Sequence, residues 1–151
     1  MNSSENLVRI AQLSCGAEYS GIQAEIDSAA KQVNAVIVYP EIDIKDIENI
    51  EEEFGFKVAS SDLKLLMARA KSIVTGKVHV DAVFVATCFR CAEAAIVRSE
   101  VRRYIHEKTG IPVISYSFTE RTTAGTLLTR MEALTTTARR KSLLAREKQS
   151  G

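Results

Sequence analysis

The 151-residue chain has the size of one ordinary domain, and its 46% hydrophobic content is enough for one packed core. A formal net charge of +1 gives no strong general attraction to nucleic acid or anionic lipid. No apolar run approaches the roughly 18 residues that a bilayer span needs, and the polar start from Met1 to Asn6 lacks the parts of a signal peptide. A cytoplasmic protein is expected.

The first strand is predicted from Leu7 to Ser14, a short β-rich run that stops at Cys15 and Gly16. A helix should follow, with Ser20 and Gln23 as a capping box and Ile22, Ile26, Ala29, Ala30 and Val33 recurring at helical spacing. Ala35 to Tyr39 reads as a second strand, stopped by Pro40. Asp43 then suits the cap of a helix whose buried stripe would be Ile44, Ile47, Ile50 and Phe54, with Gly55 in the left-handed position beyond its end.

The next helix should begin near Ser61, bury Leu63, Leu66, Met67, Ala70, Ile73 and Val74, and end by Gly76. A third strand is expected at Ala82 to Ala86. It leads into a helix through Ala94, Val97, Val101, Tyr104 and Ile105 that Gly110 and Pro112 close. Val113 to Tyr116 makes a fourth strand. The last helix starts near Thr123, buries Leu127, Leu128, Met131, Leu134 and Ala138, and can run on past Arg139.

Strands alternating with helices imply right-handed crossovers and a parallel sheet covered on both faces. The predicted fold is a single flavodoxin-like three-layer α/β lobe over residues 1–138, with four parallel strands in the order 2-1-3-4. Residues 139–151 are a basic helical extension or linker. Charge is uneven: residues 41–53 carry seven acids against one Lys, and residues 121–151 seven Arg or Lys against two Glu. The acidic stretch is expected as a solvated helix face lying at or beside the carboxyl edge of the sheet. The basic tail lacks interleaved aromatics, which speaks against nucleic-acid recognition.

Strand order 2-1-3-4 brings the ends of the first and third strands together, and with them Cys15 and the C-x-x-C pair Cys88 and Cys91. That is the edge where open α/β sheets usually bind ligands. In a reducing compartment three cysteines point to metal binding or reactivity before disulfides. A C-x-x-C entering a helix favours thiolates, and a third cysteine makes a three-thiolate set that would leave one iron of a 4Fe-4S cluster open. Zinc is the competing metal and needs a fourth ligand. Neither His79 nor His106 has convincing spacing for it. A dithiol redox pair, and cysteines that are merely small buried apolar groups, are the remaining readings.

In the turn 16–21, Glu18 and Tyr19 are candidates to orient a cluster or its ligand. The turn fits neither a P-loop nor G-x-G-x-x-G, and no Arg stands where a phosphatase cysteine loop needs one. Thr119 to Thr123, with Glu120 and Arg121, follows the fourth strand at the same edge and suits an anionic ligand, a docked partner or a helix cap. Arg130 follows in the next helix. Arg90, within the C-x-x-C, completes the candidate docking residues.

Residues 13–23 (LSCGAEYSGIQ), 86–93 (ATCFRCAE), 110–121 (GIPVISYSFTER) and 129–134 (TRMEAL) together resemble the amino-terminal region of the methanogenesis marker protein 15 family. The resemblance covers nearly the whole chain. Its later part is also similar to a lobe of the 2-hydroxyacyl-CoA dehydratase and benzoyl-CoA reductase superfamily. It implies a 4Fe-4S cluster on three cysteines, and an ATPase of the BadF/BcrA activase type that drives low-potential electron transfer. The family name implies reductive activation of methyl-coenzyme M reductase as the destination. No nucleotide signature occurs in these residues, so the lobe is expected to be part of an ATP-dependent reductive activase and not a complete enzyme. The implied partners are an ATPase domain or activase subunit, a redox client protein, or a second copy of the lobe. The alternative from another class is a cofactor-free lobe that docks an activase to its client.

Overall fold

The computed structural model describes residues 7–15, 22–88, 92–118 and 124–150. The order of elements is β1 (Val8–Ser14), α1 (Ile22–Gln32), β2 (Ala35–Val38), α2 (Ile44–Ile47), α3 (Ile50–Phe54), α4 (Ser61–Val74), β3 (Ala82–Cys88), α5 (Ala92–Thr109), β4 (Val113–Phe118) and α6 (Ala124–Ser150). The four strands form one sheet in the order β2-β1-β3-β4, and every pairing is parallel. This is the flavodoxin-like lobe that the alternation predicts.

Alternation along the strands sorts the core into two layers, because successive side chains of a strand face opposite ways. Leu13, Val83 and Val85 pack with Leu63, Leu66, Met67, Val97, Val101 and Ile105 under α4 and α5. Ile10, Phe84 and Ala86 pack with Ile26, Leu127, Met131 and Leu134 under α1 and α6. Phe84 is fully buried and stacks on Tyr116 at 6.1 Å between ring centroids.

The elements depart from expectation mainly between β2 and α4. One helix was predicted across 44–54, but Asn49 takes a left-handed backbone (φ 60°) and divides it into α2 and α3. Asp43 caps α2 in a reciprocal box with Asp46. The expected apolar stripe fails at its first member: Ile44 is 74% exposed, while Asp46 is 2% exposed. The buried Asp46 carboxylate is held by Lys77, whose Nζ reaches it at 2.9 Å and the exposed Asp43 at 2.8 Å. Gly55 (φ 86°) ends α3 as predicted, its N–H donating to the Glu51 carbonyl.

Two strands run further than the sequence suggests, β3 to Cys88 and β4 to Phe118, because the ladder between them continues through Thr87↔Ser117 and Cys88↔Phe118. Helix α6 is continuous into the basic segment. Arg139 Nη2 donates to the Val33 carbonyl at 2.9 Å and Lys141 Nζ to the Gly110 carbonyl, while Leu143 and Leu144 are exposed. No helix among the described residues is long and apolar enough to cross a membrane.

Candidate metal site at the carboxyl edge of the sheet

Strand β1 pairs with β3 up to Ser14↔Ala86, and the Cys15 amide donates to the Ala86 carbonyl at 3.1 Å. The parallel ladder therefore runs one residue past β1 and sets Cys15 opposite Thr87, one position from Cys88 at the end of β3. Neighbouring strands lie about 4.8 Å apart, so the backbones of Cys15 and Cys88 are immediate neighbours. Cys15 is half-buried and packs against the core layer under α4 and α5. Helix α5 begins at Ala92, directly after Cys91.

The structure thus brings together two of the predicted positions and fixes the helix that follows the third. The Cys88 side chain and the residues Glu18, Tyr19, Arg90, Cys91 and Arg121 lie outside what is described, as do Ser20 and the segment 119–123. Among the described residues, no three His, Cys, Asp or Glu side chains form a metal-binding group. Arg130 stands over the Tyr116 ring at 5.9 Å, a cation–π contact.

Three polar anchors brace this edge, and the motif reading overlooked all of them as functional groups. Gln12, 2% exposed, exchanges two hydrogen bonds with Gln23 of α1 at 2.6 and 2.9 Å and also donates to Ser14 Oγ at 3.0 Å. The Gln23 side chain, assigned from sequence to a capping box, is engaged with β1. Glu93, in the first turn of α5, accepts from the Ala59 and Ser60 amides at 3.1 Å and so ties the start of α5 to the start of α4. Arg98 Nη1 donates to the fully buried Thr87 Oγ1 at 2.6 Å.

A signal for two of them exists in the sequence. Gln12 interrupts an otherwise apolar strand, and Arg98 falls on the buried stripe of α5, four residues after Ala94 and three before Val101. A polar group at such a position must find a buried partner or leave its hydrogen bonds unmade.

The histidines lie elsewhere, as expected. His79 precedes β3 at the opposite edge, where its carbonyl accepts from Arg9 Nε at 3.0 Å. His106, in the last turn of α5, lines an open groove of about 520 Å³ with Pro112, Ile114 and Leu134. The acidic segment is largely solvated, as the sequence suggests, with Glu41, Asp43, Glu48, Glu52 and Glu53 exposed and only Asp46 buried. α2 docks through Asp46 on Lys77 beyond the end of α4, and α3 runs beside α4 with Glu51 against Lys64 and Glu53 against Lys71. Glu53 also accepts from Tyr104 Oη at 2.5 Å; burial, and then this bond, push the Tyr104 hydroxyl pKa well up.

The fold and its edge define a class: a four-stranded parallel α/β lobe with one cysteine beyond the first strand and a C-x-x-C at the end of the third. The chain is 57% identical over 145 residues to the uncharacterized protein MJ0800 of Methanocaldococcus jannaschii, an alignment covering 96% of this chain and 35% of that protein. The chain therefore spans about a third of the length of the curated relative it matches. No protein-family model matches the chain. No solved structure matches it.

Proposed function

We propose that the lobe binds a 4Fe-4S cluster through Cys15, Cys88 and Cys91. It would serve as the iron–sulfur module of an ATP-coupled, low-potential electron-transfer system linked to methanogenesis. The observation that carries the reading is the ladder contact between Cys15 and Ala86, which makes the ends of β1 and β3 neighbours. Three thiolates fit a cubane that leaves one iron to an outside ligand, whereas a closed zinc site needs four protein ligands.

When bound, the cluster supplies a centre that accepts and passes single electrons. The chain supplies its placement. Gln12 and Gln23 hold α1 against β1 across the segment that follows Cys15, and Glu93 pins the first turn after Cys91. The resemblance to methanogenesis marker protein 15 supports the ATP coupling and a destination in activation of methyl-coenzyme M reductase. On this reading the ATPase domain or activase subunit and the redox client meet the lobe at its carboxyl edge. Arg90 and Arg121 there provide salt-dependent contacts, with Glu18 and Tyr19 orienting the open iron's ligand. A compartment that keeps thiols reduced suits such a site.

The test is anaerobic purification and reconstitution, with iron, sulfide and zinc assayed on the same sample. The expected result is about four irons per chain, with equal sulfide. Zinc without sulfide would replace the cluster by a zinc site. Neither metal after reconstitution would leave a cofactor-free interaction lobe.

A further inference from the structure

We infer that the open edge of β4 takes up an extended, acidic segment of a partner protein as a fifth strand of the sheet. Among the described residues β4 pairs with β3 alone, which leaves its other side without a neighbouring strand. The Val83 amide donates to the Pro112 carbonyl at 2.9 Å, so alternate residues from Pro112 onward turn their backbone groups to β3, and Val113, Ser115 and Ser117 turn theirs away. Backbone N–H and C=O groups must find partners, and an edge that presents a row of them is a template for another chain.

The opposite edge is blunted. β2 has only four residues, and Pro40 stands two positions beyond its end. Short length and proline are common protections of an exposed strand. β4 has six residues, VISYSF, with neither proline nor charge among them.

The first half of β4 also lies in the groove of about 520 Å³, where Pro112, Val113 and Ile114 are flanked by Arg102, Arg103 and His106 of α5 and by Leu134 and Thr137 of α6. The three basic side chains are exposed, and among the described residues no Asp or Glu lines the groove, although Arg103 also reaches Glu100 and Glu107 beside it. α5 and α6 cover opposite faces of the sheet. Side chains of an added strand alternate between those faces. Every second one would meet the arginines, and those between would meet Leu134 and Thr137. The occupant is therefore a segment with Asp or Glu at alternate positions and small or apolar residues between them.

A second copy of the lobe fits this edge poorly. A closed dimer through β4 pairs the strand antiparallel with itself and sets the two α5 walls side by side, Arg102 and Arg103 against their own copies. The groove borders the amino half of β4, away from the cysteines, so the inference stands apart from the cluster reading.

The experiment titrates the isotope-labelled 151-residue chain with a short peptide of alternating Glu and Val, and with its Lys/Val counterpart. Amide shifts are followed by NMR at low and high salt, with sedimentation for oligomeric state and a thermal melt as folding control. The Glu/Val peptide is expected to give saturable shifts at Val113, Ser115 and Ser117 that weaken with salt, and the Lys/Val peptide none. Arg102→Glu should weaken binding about tenfold. Ser115→Pro removes an outward donor without touching the β3 ladder, and should abolish the shifts. No shifts with the Glu/Val peptide up to about 1 mM would overturn the inference. Equal binding of the Lys/Val peptide, or binding that both substitutions leave unchanged, would overturn it as well. A dimer of the parent that Ser115→Pro dissociates would replace the acidic partner by a second copy. Should Ser115→Pro fail to melt cooperatively, Arg102→Glu and the position of the shifts decide: shifts away from β4 and parental affinity in Arg102→Glu would refute the site.

Discussion

The two edges of the sheet handle polar groups in different ways. At the amino edge the charges satisfy one another: Lys77 holds Asp43 and Asp46, and Asp81 accepts the Arg9 amide while the Arg9 side chain reaches the His79 carbonyl. At the carboxyl edge no anchor is an ion pair: the Gln12 and Gln23 amides bond one another, the Glu93 carboxylate accepts from backbone amides, and the Arg98 guanidinium donates to the Thr87 hydroxyl. They brace the backbone on either side of the cysteines. The first arrangement secures the fold. The second fixes the ends of chain segments that carry reactive groups, which is where α/β sheets place function.

If that division is right, the two edges separate under mutation. Asp46→Ala should have the largest effect on stability, about 2 kcal/mol, because it strips the Lys77 ammonium and the Asp43 amide of a buried carboxylate. It should leave iron uptake unchanged. Urea denaturation and an iron assay on one preparation check both halves. Gln12→Ala should cost somewhat less, about 1.5 kcal/mol, by leaving Gln23 without its β1 partner. Unlike Asp46→Ala, it should reduce retained iron, because the segment after Cys15 loses the brace between β1 and α1.

A smaller effect appears as pH dependence at the amino edge. The hydrogen bond from Lys77, and then the Asp46 amide, hold the Asp43 carboxyl below its usual range, and the Asp43 and Asp46 bonds raise Lys77. A depressed carboxylate stabilises the fold above its unfolded pKa of about 3.9, and that contribution disappears as pH falls through the lower folded value. A raised lysine contributes fully below its unfolded value near 10.4, and the contribution is lost as pH rises through the higher folded one. Lys77→Met should therefore flatten the stability profile at both ends, most visibly on acidification below about pH 4. An unchanged acid limb would show that the Asp43–Lys77 contact is broken in solution. Smallest of all, Ser72→Ala in α4 should change stability by no more than about 0.5 kcal/mol and in the stabilising direction. Ser72 Oγ is buried and lacks a hydrogen-bond partner, so its removal leaves nothing newly unsatisfied.

Strand order and both core layers were legible in the sequence because apolar spacing, caps and left-handed glycines all report on backbone geometry. Gly55, Gly76 and Gly110 each take positive φ at a helix end. The burial of Asp46 was not legible, because its partner Lys77 lies some 30 residues away. Apolar spacing along one helix cannot register a carboxylate held by a distant ammonium. The site divides in the same manner. Cys15 and Cys88 could be foreseen as neighbours from strand order alone. The anchor Gln23 looked like an ordinary capping residue, and Glu93 carried no signal of its own, until their partners in β1 and the α3–α4 loop were placed.

The central claim is that the ends of β1 and β3 share one metal site. Its most direct test is the iron and sulfide content of anaerobically reconstituted Cys15→Ser beside the parent and Cys88→Ser, with a melt to show that all three remain folded. The account predicts that Cys15→Ser loses the cluster as sharply as Cys88→Ser while its melting temperature moves little, because the apolar core does not depend on the metal. Cluster content in Cys15→Ser equal to that of the parent would contradict it.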